Sequence, residues 1–426
     1  MEIYSRDEVF GVSRTLPRNY VVRSKVDGEL LDALQADQHI VVHGSSKQGK
    51  TSLRKKNLKP EDYIVITCIN KWTLAQLNSA ILKAAGFTIE SSTTRAVSGE
   101  MKILARIEAT VKGVISNLKG SGETSYTHGT KTETRYESME VDPSDVNDIV
   151  DCLDEIDSPK LIVLEDFHYL PPETQVDFAI ALKAFHEDSD YLFMVVGVWK
   201  DDNRLILLNG DLSGRVVSIN ADAWTNEELS SAIRDGQDLL NIKFEDTFIS
   251  DLVSRSFESI YIVQECCRQA CKDAGVDETL DACRTVRGNP QELVQRAVDL
   301  HSARYLSFIS DFAGGHQSTT LEMHKYILGI VLMSEISDLE SGMRYTDIRK
   351  KIDAIHPESP INQGNITQAL RSTGSLQGSR LNIKPIILDY DESTKRLNIV
   401  DRSFLIWLAN QDRSSLLEHA GIQEDA

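Results

Sequence analysis

The stretch Gly44-Ser45-Ser46-Lys47-Gln48-Gly49-Lys50-Thr51 decides how this chain is read. It satisfies the phosphate-binding pattern G-x-x-x-x-G-K-[ST] at every fixed position. The apolar run Ile40-Val41-Val42-His43 leads straight into it and predicts a buried strand. Behind it, Thr51-Ser52-Leu53-Arg54 can open a helix. Gly44 and Gly49 let the backbone turn where a Cβ would clash. The N–H groups from Ser45 to Gln48 can then point inward at a phosphate. The helix start, Thr51 and Ser52, adds its partial positive charge. In this pattern Lys50 reaches the β- and γ-phosphates of a nucleotide, and the Thr51 hydroxyl takes Mg²⁺.

Outward from the loop, Tyr63 to Ile69 reads as a second buried strand. Its apolar run lacks clean alternation, as expected of a parallel sheet covered on both faces. Thr73 to Ala85 reads as a helix closed by Gly86. Then comes Leu161-Ile162-Val163-Leu164-Glu165-Asp166, four apolar residues ending in two carboxylates. The carboxyl end of such a strand delivers its acids to the same sheet edge as the phosphate loop. One carboxylate can hold Mg²⁺ through water, and the other can orient or deprotonate an attacking water. His168, two residues on, reads as structural. Tyr191 to Val198 and Val216 to Ile219 are further strands. The alternation calls for right-handed crossovers and a central parallel sheet, an α/β core over residues 1–220.

Ahead of the loop, Tyr20 to Arg23 precedes an amphipathic helix from Asp27 to Ala36. This lead-in either touches a nucleotide base or simply packs. Residues 87–145 read as an insertion. Glu100 to Leu118 has apolar residues at helical spacing, and Gly120 to Glu140 alternates like an exposed hairpin. The insertion is a solvated excursion or a docking element for a neighbouring subunit or partner. Residues 221–315 read as a small helical lid domain, opened by a capping box between Thr225 and Glu228. Residues 321–412 read as helices followed by a two-stranded hairpin, a winged helix-turn-helix, and 413–426 as a polar tail.

With 65 acidic against 46 basic residues the formal net charge is -19, which argues against non-specific attraction of the whole surface to nucleic acid or anionic membrane. The six cysteines form no C-x-x-C pair, so buried free thiols in a reducing cytoplasm are expected. No N-terminal targeting signal is visible, and the apolar runs are too short to span a bilayer.

In this order the parts resemble the P-loop ATPases of the AAA+/STAND group, including archaeal-type and initiator-like members with a C-terminal winged helix. The resemblance covers most of the chain outside the insertion and rests on Gly44 to Thr51 and Leu161 to Asp166. It implies ATP and Mg²⁺ as cofactors and a P-loop sheet carrying a helical lid and a winged helix. It implies slow ATP hydrolysis by Lys50, Glu165, Asp166 and Arg215. By position Glu165 serves Mg²⁺ with Thr51, and Asp166 serves the water. Relatives carry aspartate first; here the shorter acid must reach the water, which puts fast turnover in doubt. Gly197-Val198-Trp199 lacks the small polar side chain that relatives use to sense the γ-phosphate. Gly288-Asn289-Pro290 is similar to the Gly-x-Pro of STAND lids, which would set Pro290 near the nucleotide; an ordinary helix boundary has the same look. Arg215 stands where relatives place an arginine that contacts nucleotide, in cis or across subunits; the alternative is a surface charge pair.

The function implied is a nucleotide-controlled switch with a separate effector partner and a nucleotide-dependent homo-oligomer, as in signalling or bacterial antiphage defence. The alternative is a DNA-binding ATPase of the initiator or transposition-regulator kind. Asn362, Gln363, Asn365, Gln368 and Arg371 would then face DNA, with Lys395 and Arg396 at the wing tip. Asp389, Asp391 and Glu392 beside the wing argue against it. A nucleotide-stabilised scaffold with negligible turnover is the third possibility.

Overall fold

The structure, a computed structural model, describes residues 2–11, 15–91, 103–107, 139–156, 158–315 and 321–422. Among the described residues up to 220 there are eight strands: β1 (His39–His43), β2 (Tyr63–Thr67), β3 (Phe87–Ser91), β4 (Ile103–Ile107), β5 (Met139–Val141), β6 (Leu161–Glu165), β7 (Leu192–Val196) and β8 (Val216–Asn220). Five of them form a parallel sheet in the order β2-β6-β7-β1-β8. β1 is wholly buried, and its residues alternate between the sheet's two faces. Ile40 and Val42 join Val26, Leu30 and Leu53 in one apolar layer. Val41 joins the other, with Leu77, Ile149, Phe178 and Phe185. Helices therefore cover both faces, which is why the strands read as unbroken apolar runs.

β3, β4 and β5 form a separate antiparallel sheet. Here the structure corrects the helical reading of Glu100 to Leu118. Residues 103–107 are a strand, and Ile103, Ala105 and Ile107 also fit a two-residue period. So short an apolar run carries both signals, and pairing with β3 and β5 decides between them. The remainder of that predicted helix, and the hairpin read over Gly120 to Glu140 except its end in β5, lie outside the described residues.

The lid is built from helices Asn226–Leu240, Asp246–Arg255, Ile260–Asp273, Pro290–Asp299 and Ser302–Gly314. The start of the chain packs on it rather than on the sheet. Arg6 N–H donates to Asp277 O at 2.8 Å, and Phe10 is buried in the lid's apolar cluster. The mechanical boundary thus differs from the 1–220 expected. Met323–Met333, Tyr345–Ile355 and Gln363–Ser375, followed by the hairpin Leu388–Asp391 and Arg396–Ile399, form the winged helix. One continuous apolar cluster joins it to the lid. The expected polar tail is corrected as well: Arg413–His419 is a helix whose Leu416 and Leu417 are buried in that cluster.

Candidate nucleotide-binding site

β1 ends at His43, and the chain turns through Gly44 with φ +132°. A Cβ there would lie 2.9 Å from Asp222 Oδ1, so the position requires glycine for conformation and for space. Asp222, just beyond β8, fixes the loop's first turn. Its Oδ1 accepts from Ser45 N–H and its Oδ2 from Ser45 Oγ–H, both at 2.7 Å. Lys47 (φ +61°) and Gly49 (φ +85°) take left-handed backbone, and Gly49 is the N-cap of the helix Lys50–Asn57. Trp224 Nε1–H donates to Gln48 O at 3.3 Å. Gln48 in turn meets the lid, donating from Nε2 to Glu258 O at 3.3 Å and accepting Ile260 N–H at 3.4 Å. The Lys47 ammonium lies 3.8 Å from the centre of the Tyr261 ring and 3.2 Å from His301 Nε2, both on the lid.

The Lys50 ammonium is curled onto its own loop, donating to Gly44 O at 2.9 Å and to Ser45 O at 2.6 Å. Burial pushes its pKa down to about 8, against the pull of Asp222, Glu165 and Asp166. A half-buried cation held by neutral carbonyls and facing a cavity is poised for an anion.

That cavity measures about 610 Å³. It lies within the range of about 300–1,000 Å³ common for small-molecule sites. Residues Ser46 to Ser52 form one wall, with Glu165, Asp166, Gly197 and Val198 beside them. The other end runs between Asn19–Val21 of the lead-in and Ala232, Ile260, Tyr261 and Gln264 of the lid. The lead-in both lines the cavity and packs. Arg23 is buried, donates to Ala221 O at 2.8 Å, and sits 4.2 Å from the centre of the Trp224 ring.

Glu165 ends β6 in the same cavity. Arg54 donates to its Oε1 from Nε at 3.2 Å and from Nη2 at 3.1 Å. Burial raises the Glu165 pKa, with Arg54 opposing. Asp166 adopts left-handed backbone (φ +58°), which turns the chain out of the strand. Burial raises its pKa too, and Lys50 opposes. Among the described residues no group of three or more His, Cys, Asp or Glu could hold a metal by itself. Thr51 and Glu165 fit a cation that arrives with phosphate oxygens, because Mg²⁺ keeps few protein ligands.

Two expected site residues are not brought to the cavity. Pro290 lies with Gly288, Phe248 and Val286 around a separate cavity of about 350 Å³, where it opens a lid helix. Arg215 precedes β8, and its carbonyl accepts His39 N–H at 2.9 Å, which sets it at the amino-terminal ends of β1 and β8. The phosphate loop is at the opposite end, about 17 Å away for five strand residues. The Arg215 side chain pairs with Glu187 at 2.7 Å. Contact with the nucleotide of its own chain is therefore ruled out by position. His168 Nδ1 accepts Val198 N–H at 3.2 Å, and burial pushes its pKa well down.

Phosphate loop after β1, paired acids after β6 and the order β2-β6-β7-β1-β8 together make this the fold of P-loop nucleotide-binding proteins. A helical lid and a winged helix follow the sheet in the chain. A solved structure agrees on the fold. The chain is similar to a Walker-type ATPase of Pyrococcus abyssi, with a TM-score of 0.54 and 11% identity over 94% of this chain and 99% of that one. It is also similar to Orc1 of Aeropyrum pernix solved with DNA, at TM-score 0.44 and 11% identity over 98% and 97%. Similarity to the RuvB branch migration motor of Thermotoga maritima has a TM-score of 0.36 at 14% identity over 82% and 94%. No family model and no curated protein matches the chain.

Proposed function

We propose that this chain is a nucleotide-controlled switch of the STAND kind, which binds ATP in the cavity beside Lys50 and hydrolyses it slowly. The observation that carries this reading is direct contact between the winged helix and the phosphate loop. Ser46 N–H donates to Val400 O at 3.1 Å. The next residues clasp the lid: Asp401 pairs with Arg304 at 2.7 Å, and Arg402 with Glu258 at 3.1 Å. Arg402 also approaches Asp222 Oδ2 at 3.8 Å, the carboxylate that holds Ser45. Val400 and Ile386 pack on Val198 and Tyr169 of the core. A change in the loop is thus felt by the wing without an intermediary.

In hydrolysis, a water oxygen would bond to the γ-phosphorus while the bond to the β–γ bridging oxygen breaks. ADP keeps the bonding pair, and the water's proton passes to the Asp166 carboxylate. Lys50 neutralises charge on the β/γ bridge. Thr51 and Glu165 would hold magnesium, which supplies charge neutralisation on the phosphates. Arg215, on the far edge of the sheet, would serve a second copy's nucleotide in a nucleotide-dependent homo-oligomer. An effector protein, possessed separately and recruited by the released wing, completes the switch; antiphage defence in the cytoplasm is the proposed setting. No helix among the described residues is long and apolar enough to cross a membrane.

Calorimetric titration of ATP into wild type and Lys50→Ala tests the site. Wild type should bind with magnesium and the variant at least tenfold more weakly; equal affinity would sink the reading. Mass measurement with ADP and with a non-hydrolysable ATP analogue tests the switch, and a mass that ignores the nucleotide counts against it.

One observation supports DNA as a second reading: Asn362, Gln363, Asn365 and Gln368 are all exposed on the recognition-helix end. Arg371, however, pairs with Glu392 at 2.7 Å, and Arg396 is turned onto Gly342 O at 2.6 Å. Salt-dependent binding to a duplex would favour this reading, and absence of binding at low salt would remove it.

A further inference from the structure

We propose that Arg54 is a positioning residue for the cation that accompanies the nucleotide: it anchors one oxygen of Glu165, which lines the cavity, and leaves the other without a bond from the guanidinium. This rests on the reading of the cavity as a nucleotide site. Arg54 follows Lys50 by four residues, about one helical turn, so it lies on the same side of the loop's helix. That side faces the end of β6. Both Nε and Nη2 reach the same oxygen, Oε1, at 3.2 and 3.1 Å, rather than bridging the two oxygens. A fork-to-fork pair would have engaged both oxygens and closed the carboxylate to a metal.

The arginine itself is not adjustable. It is 5% exposed, and the Tyr63 ring lies 4.8 Å from its guanidinium carbon. Tyr63 begins β2, which pairs along its whole length with β6. Helix, β2 and β6 therefore meet at one guanidinium, and the metal-facing acid is held in register with the loop that carries Thr51. Partners that orient a metal ligand in this way typically change metal affinity by about 10–100-fold when removed. Glu165 by itself could swing on its side-chain torsions; the anchored Oε1 leaves rotation of the remaining oxygen nowhere to go.

The test uses the full chain, with Arg54→Met and Arg54→Lys. ATP affinity is measured by calorimetry in EDTA and then across a magnesium titration, and thermal melting is recorded for each protein. With Arg54→Met, affinity in EDTA should stay within about twofold of wild type, while the magnesium needed for half-maximal tightening rises about tenfold. Arg54→Lys keeps the charge with a single donor group and should recover part of that loss; it also carries the test if Arg54→Met does not fold. Magnesium titrations that superimpose for all three proteins, with intact ATP binding, would overturn the inference and leave Arg54 as a structural ion pair. A lower magnesium requirement in Arg54→Met would overturn it as well, because Arg54 would then be competing with the cation. Wild type that binds no ATP at all would overturn the reading of the cavity, a separate result.

Discussion

ATP binding should take up a proton near pH 8, and Lys50 is the group that takes it. In the structure its ammonium rests against Gly44 O and Ser45 O, with a pKa held down at about 8. A triphosphate in the cavity adds several negative charges within a few ångströms, which favours the charged amine and raises that pKa. The bound pKa therefore exceeds the free one. Affinity is complete below the free pKa and falls as pH rises above it, by up to about tenfold per unit.

The number of protons follows from the free amine's titration. With a free pKa of about 8, uptake per ATP should rise from a small fraction of a proton at pH 7 toward one at pH 9. Calorimetry in buffers of different ionisation heat reads this number directly. Above pH 7.5 or so the γ-phosphate is fully ionised and adds little of its own. Lys50→Arg retains a cation whose pKa is far higher, so its uptake should vanish over the same range. An uptake near zero at every pH in wild type, with binding intact, would refute the argument: Lys50 would then be charged throughout, or not in contact with the nucleotide.

Three further outcomes are expected. His39 has both ring nitrogens engaged in the neutral form, Nε2–H donating to Leu182 O and Nδ1 accepting Phe193 N–H, each at 3.1 Å, and burial pushes its pKa down to about 4. Since the unfolded ring titrates near 6.5, this contribution is present above that pH and is lost as pH falls toward 4. It amounts to about 2 kcal/mol between pH 7 and pH 5. Urea midpoints of wild type and His39→Gln over that range check it, and parallel pH profiles would contradict it. Arg402→Ala removes the contacts to Phe257 O and Glu258 and should weaken the clasp, at roughly 1.5–3 kcal/mol per charge-assisted bond; thermal melting should show the loss, and an unchanged midpoint counts against the clasp. Gly197→Ala would place a Cβ 1.5 Å from Trp199 Cζ3 in a fully buried indole, so melting should show a loss of about 1–3 kcal/mol; an unaltered melting temperature would mean the ring can move aside.

The parts of this site that could be read from sequence are those made by neighbours in the chain. Gly44 to Thr51 and Leu161 to Asp166 each carry their chemistry within one turn or one strand, so spacing alone exposes them. The groups that hold them in place come from elsewhere. Asp222 meets Ser45 across 177 residues, and Arg54 meets Glu165 across 111, so neither pairing leaves a local pattern. Asp222 reaches the loop because β8 lies beside β1, an adjacency settled by crossovers and not by composition. The same limit explains Pro290 and Arg215. Each sits in a suitable tripeptide or turn, yet which end of the fold it occupies depends on the direction of strands and helices far away. For Arg54 a faint signal did exist: it is basic, one turn past Lys50, on a helix that must face the sheet edge holding the acids. The helix Arg413–His419 carried a weaker one, since Leu416 and Leu417 stand alone among polar neighbours.

In the proposed switch, the strength of the clasp sets how much a nucleotide must do. The wing's contacts with the rest of the chain include one backbone bond from Ser46, the charged contacts of Asp401 and Arg402, the Arg204–Asp389 pair at 3.1 Å and the apolar contact of Val400 and Ile386 with Val198, beside the apolar cluster shared with the lid. At about 1 kcal/mol for the neutral bond and about 2 for each charged one, these polar contacts come to roughly 7 kcal/mol. Moving a two-state equilibrium from 1:99 to 99:1 takes about 5.5 kcal/mol of differential binding. The polar contacts alone exceed that, so the γ-phosphate would have to shift part of them rather than free the wing as a whole. Asp222 is where that difference can arise. It bonds Ser45 through both oxygens and lies 3.8 Å from Arg402, so a loop that tightens around phosphate and shifts Ser45 also changes the charge Arg402 faces. Asp222→Asn keeps an acceptor for Ser45 and removes that charge. If the coupling runs through this carboxylate, the variant should still bind ATP while scattering profiles with ADP and with the ATP analogue become alike. Profiles that still differ as in wild type would show that the wing is moved by another route.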